Sequence, residues 1–274
     1  MKLSVIIPYY NGTKYIDRAI ESCKGKDIEI IVVDDCSPEP FFYFGKMPVK
    51  TIRLDENVGQ GLARNAGLSE STGEWITFLD QDDEFLINLD AFMKLIPEES
   101  QAVWTQTIYK QMDGQTKVYD ESLSLVHGKF YKRQWLIDHD IRFSEDCRWY
   151  EDIYFCNMLM PYLEANDCAR MEIPTYVWYQ NPEQQTFTDD YNYEHFDCMI
   201  KANFEVFMRH YRRKLITKEQ GEFCMKWFVA QGATMLKKHK SDKTFEENKC
   251  LLVNAIKKAN KAGLYVDLDL IRGL

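Results

Sequence analysis

The 274-residue chain is 45% hydrophobic and 14% aromatic, which excludes wholesale disorder, and its 43 acidic against 34 basic residues leave a formal charge of −9. That balance gives no electrostatic footprint for non-specific nucleic-acid binding, so no nucleic-acid partner is expected. The apolar run at residues 3–8 is too short for a signal peptide and no stretch has the length of a membrane span, so the expected location is cytoplasmic, with peripheral contact at the inner face of the membrane as the membrane association considered.

Leu3 to Pro8 is a β-branched run stopped by proline and followed by the Asn11-Gly12 turn, the pattern of a buried first strand. A helix is expected from about Thr13, with Ile16, Ala19, Ile20 and Cys23 on one face. Ile28 to Val33 reads as a second buried strand that ends in acid, Asp34-Asp35-Cys36-Ser37. Strand, helix and strand in so short a span predict a parallel βαβ unit. Residues 39–50 have no period and predict a loop or short irregular helix.

Thr51 to Leu54 is a third short strand, after which Asn57-Val58-Gly59-Gln60-Gly61-Leu62-Ala63-Arg64 predicts a helix capped by Asn57. Glycines permit close backbone approach there, and Arg64 near a helix N-terminus suits an anion such as diphosphate; an ordinary glycine-rich helix entry with a surface arginine is the alternative. Trp75 to Leu79 is the next buried strand, and it changes abruptly into Asp80-Gln81-Asp82-Asp83. Acids at a strand's C-terminal end stand where open α/β sheets bind ligands. Like charges this close call for a divalent cation or a basic partner, unless the turn is simply solvated.

Beyond this point the pattern predicts a short helix at residues 88–96, a strand at 102–110 that pairs with 117–119 across Asp113-Gly114, and a helix from Lys129 to His139 with Trp135, Leu136 and Ile137 inward. Ile153, Phe155, Cys156, Leu159 and Met160 describe a buried helix that begins at Glu151-Asp152. A helix N-terminus favours the ionised carboxylate that a general base needs, though the two acids would equally serve as caps. Arg170 to Tyr179 is a last strand. Three helical stretches follow, 193–211, 218–237 and 245–261, with His195 and His210 expected on solvated faces. The basic run Lys237-Lys238-His239-Lys240 is either a solvated helix end or a contact for an anionic head group. Eight cysteines lack CxxC spacing, and Cys23, Cys156 and Cys250 lie at apolar helical positions, so buried free thiols are expected. The domain division expected is 1–188 and 189–274.

Several motifs in order carry a resemblance. Ser4-Val5-Ile6-Ile7-Pro8-Tyr9-Tyr10-Asn11, Val32-Val33-Asp34-Asp35-Cys36-Ser37, the 57–67 segment, Phe78-Leu79-Asp80-Gln81-Asp82-Asp83, Gly128 to Arg133 and Glu151 to Phe155 together resemble a family 2 glycosyltransferase of the GT-A fold, over roughly residues 3–180. The resemblance implies an α/β fold, a Rossmann-like mixed sheet flanked by helices, with the helical C-terminal region outside the motifs. It also implies an inverting, metal-dependent hexosyl- or N-acetylhexosaminyltransferase that moves one sugar from a UDP-sugar to a hydroxyl of a glycan, lipid-linked or protein acceptor, in surface-polysaccharide or glycoconjugate biosynthesis.

Carried over by position, Pro8, Tyr10 and Asp35 would line the base and ribose. Gly61 and Arg64 would lie near the nucleotide or its diphosphate, Asp82 would hold ribose or sugar hydroxyls, Asp83 with Asp80 would serve Mn²⁺ or Mg²⁺, and Asp152 would be the general base. Three departures stand out: Trp75 replaces a common tyrosine, His127 stands where relatives carry a tryptophan or similar aromatic, and Gln180 stands where an arginine is common, leaving Arg64 or Lys129 to meet the diphosphate. A nucleotidyltransferase and a non-catalytic nucleotide-sugar-binding protein are the alternatives.

Overall fold

The computed structural model describes residues 2–120, 125–163, 167–181, 193–271 and 274. The chain forms two compact units, Met1–Arg148 with Tyr162–Gln184, and Trp149–Pro161 with Gln185–Leu274. The segment that opens with Glu151-Asp152 therefore belongs with the C-terminal helices. The expected boundary at 188/189 lies outside the described residues.

In the first unit, β1 (Leu3–Tyr9) is buried along its whole length because it lies between two parallel neighbours, β2 (Ile28–Asp34) and β4 (Trp75–Phe78). β3 (Val49–Arg53) adds outside β2, again in parallel. The crossovers are α1 (Ile16–Ser22) and α2 (Gln60–Glu70), and the loop expected over 39–50 is a loop up to β3. Three parallel neighbours in register bring the acid-bearing ends of β2 and β4 to the same edge as Pro8 and Tyr10. α2 lies close on the sheet because Gly67 has no side chain; a Cβ there would stand 2.4 Å from Ile6.

Past β4 come β5 (Glu84–Phe85), α3 (Leu89–Met93, capped by the Asn88 side chain), β6 (Ala102–Lys110), β7 (Thr116–Tyr119), β8 (Lys129–Lys132), α4 (Arg133–Asp138) and β9 (Cys168–Tyr179). The sheet runs β3-β2-β1-β4-β8-β6-β9-β5, with β7 paired to β6 across the expected hairpin. β4–β8 and β8–β6 are antiparallel and β6–β9 is parallel, so the sheet is mixed. The helix expected over 129–139 is corrected: its first four residues are β8, because the Phe130-Tyr131 backbone joins two strands, and only the remainder is helical. Ile137 on that helix is exposed rather than inward.

In the second unit, α5 (Glu151–Leu159) begins at the acid pair as expected. α6 (Phe196–Ile200), a π-helical turn (Lys201–Glu205) and α7 (Val206–Arg212) form one continuous rod, followed by α8 (Lys218–Lys238) and α9 (Phe245–Lys261). Thr217 and Gln220 close α8 with a reciprocal capping box, and Gly263, at φ +93°, follows α9. His210 is buried, not solvated: its Nε2 lies 3.0 Å from the Asn157 carbonyl, and burial pushes its pKa down. His195 stacks on Trp149 instead of facing solvent alone. Every cysteine is a free thiol, but Cys250 is exposed. Among the described residues no helix is long and apolar enough to cross a membrane.

Candidate active site

At the end of β2, Asp34 and Asp35 are both buried, and protein donors hold all four of their oxygens. Asp34 accepts from the Ser37 amide at 2.9 Å on one oxygen, and from the Phe41 amide at 3.1 Å and Arg53 on the other. Burial works to raise its pKa, but the hydrogen bonds from Ser37, Phe41 and Arg53 outweigh it and hold the carboxyl below its usual range. Asp35 accepts from the amides of Val58 and Gly59, each at 2.8 Å. It therefore ties down the entry to α2, whose cap residue is Gly59 at φ +92°, a conformation that suits glycine. The cap expected from Asn57 is thereby corrected; Asn57 receives Arg148 instead.

Pro8 is buried in β1, and Tyr10 just beyond it is 47% exposed. The backbone of Tyr10 is clamped at both polar groups by one side chain. Gln81 accepts from its N–H at 2.9 Å and donates to its carbonyl at 3.2 Å, which leaves the ring free to meet a ligand. Gly61 is buried in the first turn of α2.

At the end of β4 the three acids divide by their partners. Asp80 accepts from Arg64 Nη2 at 2.7 Å on one oxygen, and its other oxygen lies 3.0 Å from His127 Nε2. Burial would raise this carboxyl, yet Arg64 and His127 hold it well below the carboxylate range. Asp83, 1% exposed, accepts from Tyr176 Oη at 2.7 Å and from the Tyr179 amide at 2.9 Å. Tyr176 Oη in turn accepts from the Asp80 amide at 3.1 Å, and the His127 ring stacks on the Tyr176 ring with centroids 4.8 Å apart. Asp82 is half-buried; one oxygen accepts from Asn181 at 2.6 Å, and its backbone carbonyl accepts from Arg18, whose guanidinium lies 3.9 Å over the Tyr179 ring. Burial first, and then the charge of Asp80, raise the pKa of Asp82; burial and the charges of Asp80 and Asp82 raise that of Asp83, against the opposing pull of His127.

This electrostatic surplus is what a divalent cation would relieve. Asp80, Asp83 and His127 each bring one donor atom within 4.8 Å of the others; the carboxylate oxygens suit Mn²⁺ or Mg²⁺, and the imidazole nitrogen favours Mn²⁺ of the two. The residues present therefore fit such an ion. Arg64 and Lys129, the two cations considered for a diphosphate, are each 1% exposed: Arg64 is turned to Asp80, and Lys129 donates to the Leu125 carbonyl. Arg18, Tyr176 and Asn181 were not singled out by sequence reasoning. Tyr176 and Asn181 reach the acids from 93 and 99 residues further along the chain, and Arg18 meets them from α1, so no local spacing marks them.

In the second unit Asp152 lies in the first turn of α5, and both it and Glu151 are buried. The helix is entered through Tyr150, which adopts a left-handed conformation at φ +60° without a side-chain cap. A bulky residue held there costs on the order of 1–3 kcal/mol, and such conformations cluster where function requires them. Cys36, at φ +57°, is likewise left-handed, directly after Asp34-Asp35.

A family model described as Glycosyl transferase family 2 matches residues 4–161. TarS of Staphylococcus aureus, a poly(ribitol-phosphate) beta-N-acetylglucosaminyltransferase, is 29% identical over 218 residues, which are 70% of this chain and 38% of TarS. The succinoglycan biosynthesis protein ExoO of Rhizobium meliloti is 27% identical over 246 residues, 76% of this chain and 68% of ExoO. The crystal structure of TarS 1-349 in complex with UDP-GlcNAc aligns with 100% of this chain and 95% of that chain, at a TM-score of 0.60 and 21% identity. The fold is thus the GT-A fold of TarS, a mixed sheet with flanking helices and a helical C-terminal region. With the model spanning more than half of its length, acid-bearing ends of β2 and β4 included, the chain belongs to glycosyl transferase family 2.

Proposed function

We propose that this chain is an inverting, metal-dependent glycosyltransferase that moves one sugar from a UDP-sugar to a hydroxyl of a glycan, in surface-polysaccharide assembly. The names of TarS and ExoO support the polysaccharide setting, and UDP-GlcNAc bound to TarS makes a UDP-N-acetylhexosamine the first donor to test. The observation that carries the reading is the division of labour at the end of β4. Asp80 and Asp83 have a protein partner on each oxygen, whereas Asp82, half-buried, has one oxygen bound to Asn181 and capacity left on the other. We therefore assign the main grip on the cation to Asp82, with Asp80, Asp83 and His127 behind it, in place of the Asp83-with-Asp80 pair that the motif alone suggests.

A bound Mn²⁺ or Mg²⁺ would supply positive charge to the diphosphate as the glycosidic bond breaks. Tyr10, clamped by Gln81, offers its ring to the base, with Pro8 and Asp35 at the same strand edge and Gly61 keeping the α2 backbone open to close approach. Arg64 positions Asp80. The acceptor hydroxyl attacks C1, the bond from C1 to the phosphate oxygen breaks with its electron pair leaving on UDP, and the hydroxyl proton passes to Asp152. One displacement inverts the anomeric carbon.

Incubation with a panel of UDP-sugars, Mn²⁺ and candidate glycan acceptors is expected to release UDP; release of pyrophosphate would indicate nucleotidyl transfer, and binding without turnover a sugar-nucleotide receptor. Asp152→Asn is expected to abolish transfer with UDP affinity nearly intact. A large loss of UDP binding in that variant would refute its role as the base.

A further inference from the structure

The π-helical turn in the second unit has a structural consequence that the transfer reaction does not use. Widening a helix to the π form disturbs its regular ladder, and such turns are rare and concentrated at functional positions. Here the local sequence supports it: Asn157 on α5 donates to the Ala202 carbonyl at 2.8 Å and to Asn203 Oδ1 at 3.2 Å, while Asn203 donates to the Met199 carbonyl at 2.9 Å. All of these groups lie within one unit. The bulged rod faces α9 across a groove of about 410 Å³.

The groove has two kinds of lining. Its floor is apolar, built from Ile200, Phe204, Leu251 and Ala255. Its rim carries Lys257, Lys258 and Lys261 from the last turns of α9, all three exposed and without an ion pair among the described residues. On the opposite rim Lys201 pairs with Asp197 at 3.8 Å, which leaves Glu205 as the acid facing the α9 lysines. A chain of net charge −9 thus concentrates uncompensated positive charge beside an apolar trough. A wholly polar anion would leave the floor unused, and an uncharged apolar segment would leave the lysines unused. An anionic phospholipid, with phosphate on the lysines and glycerol and upper chain on the floor, matches both.

We propose that the groove between the π-helical turn and α9 docks the chain on an anionic phospholipid surface, through the phosphate of a lipid whose apolar part enters the groove. This places the membrane contact on α9 rather than on the basic run at 237–240, and it is independent of the donor site. Flotation with phosphatidylcholine vesicles, with and without phosphatidylglycerol, tests it on the full chain. Wild type is expected to float only with the phosphatidylglycerol vesicles, and Lys257→Glu with Lys258→Glu is expected to lower that binding by about tenfold or more.

Leu251→Asp keeps every lysine but spoils the floor and is expected to lower binding too, whereas Lys237→Glu with Lys238→Glu is expected to bind as wild type does. Circular dichroism establishes that each variant is folded. Absence of wild-type binding, undiminished binding by either groove variant, or loss of binding in the 237/238 variant would each overturn the proposal. UDP release can be measured without vesicles, so failure here is distinct from failure of the transferase reading.

Discussion

The ends of β2 and β4 look alike as sequence, a buried apolar strand running into clustered aspartates, but they are built differently. At β2 the donors are four backbone amides and one arginine, so both acids are satisfied by the loops they hold. At β4 the acids face one another. Asp80 is paired with the Arg64 guanidinium and lies beside His127, and the other two are pushed toward protonation by burial and by their neighbours. The comparison separates two uses of aspartate: one organises the backbone, and the other concentrates negative charge that a ligand can relieve.

Removing one acid from each strand end separates the two roles. Asp82→Ala is expected to abolish the Mn²⁺ dependence of UDP binding and to cut transfer by about 100-fold or more, with little change in thermal stability. Calorimetric titration of UDP with and without Mn²⁺ checks this. An Asp82→Ala protein that keeps its Mn²⁺ dependence, alongside a folded Asp83→Ala that loses it, would return the main ligand to Asp83. Asp34→Ala is expected to do the reverse, costing about 3 kcal/mol in urea unfolding because it orphans two buried amides and Arg53 while touching no ligand.

A smaller effect tests the link behind the acids. Tyr176→Phe removes the hydroxyl that donates to Asp83 and accepts from the Asp80 amide, with little change in ring shape. The expected cost is about 1–2 kcal/mol, read as a fall of a few degrees in Tm. Added Mn²⁺ is expected to stabilise this variant as it does the wild type, since Asp82 is untouched. If Mn²⁺ no longer stabilises it, Asp83 contributes directly to the ion.

Much of this architecture is legible in the sequence, because the parallel strands must be apolar throughout and their ends must be abrupt. Leu3–Tyr9, Ile28–Asp34 and Trp75–Phe78 all fall where the β-branched and aromatic runs predict. Local periodicity fails where pairing decides. Lys129–Lys132 has a pattern compatible with a helix, and it is a strand because β4 and β6 both need a partner there. The candidate site follows the same rule. Its acids stand out by composition, but their partners do not: the amides on Asp35 belong to the α2 entry, and the Tyr176 hydroxyl and Tyr179 amide on Asp83 belong to β9. Asp35 and Asp82 are equally conspicuous as letters, and only the accounting of their hydrogen bonds tells them apart.

The pH dependence at β2 is the subtlest test of the contrast. The Asp34 carboxyl is held below its ordinary range in the folded protein, where burial is outweighed by Ser37, Phe41 and Arg53. The unfolded chain therefore binds a proton on this group at higher pH than the folded chain does, and acid favours unfolding. Its contribution is fully present above the unfolded value of about 4 and is lost as pH falls through the lower folded value. Asp34→Asn has no such proton to take up. The stability gap between wild type and Asp34→Asn, measured by urea unfolding, is expected to be constant from pH 8 to about 5 and to narrow below about 4. A gap that stays constant through acid would mean that the folded carboxyl is not held below its ordinary range, so that neither the Ser37 and Phe41 hydrogen bonds nor Arg53 favours its ionised form, and the two strand ends would not differ in how they treat charge.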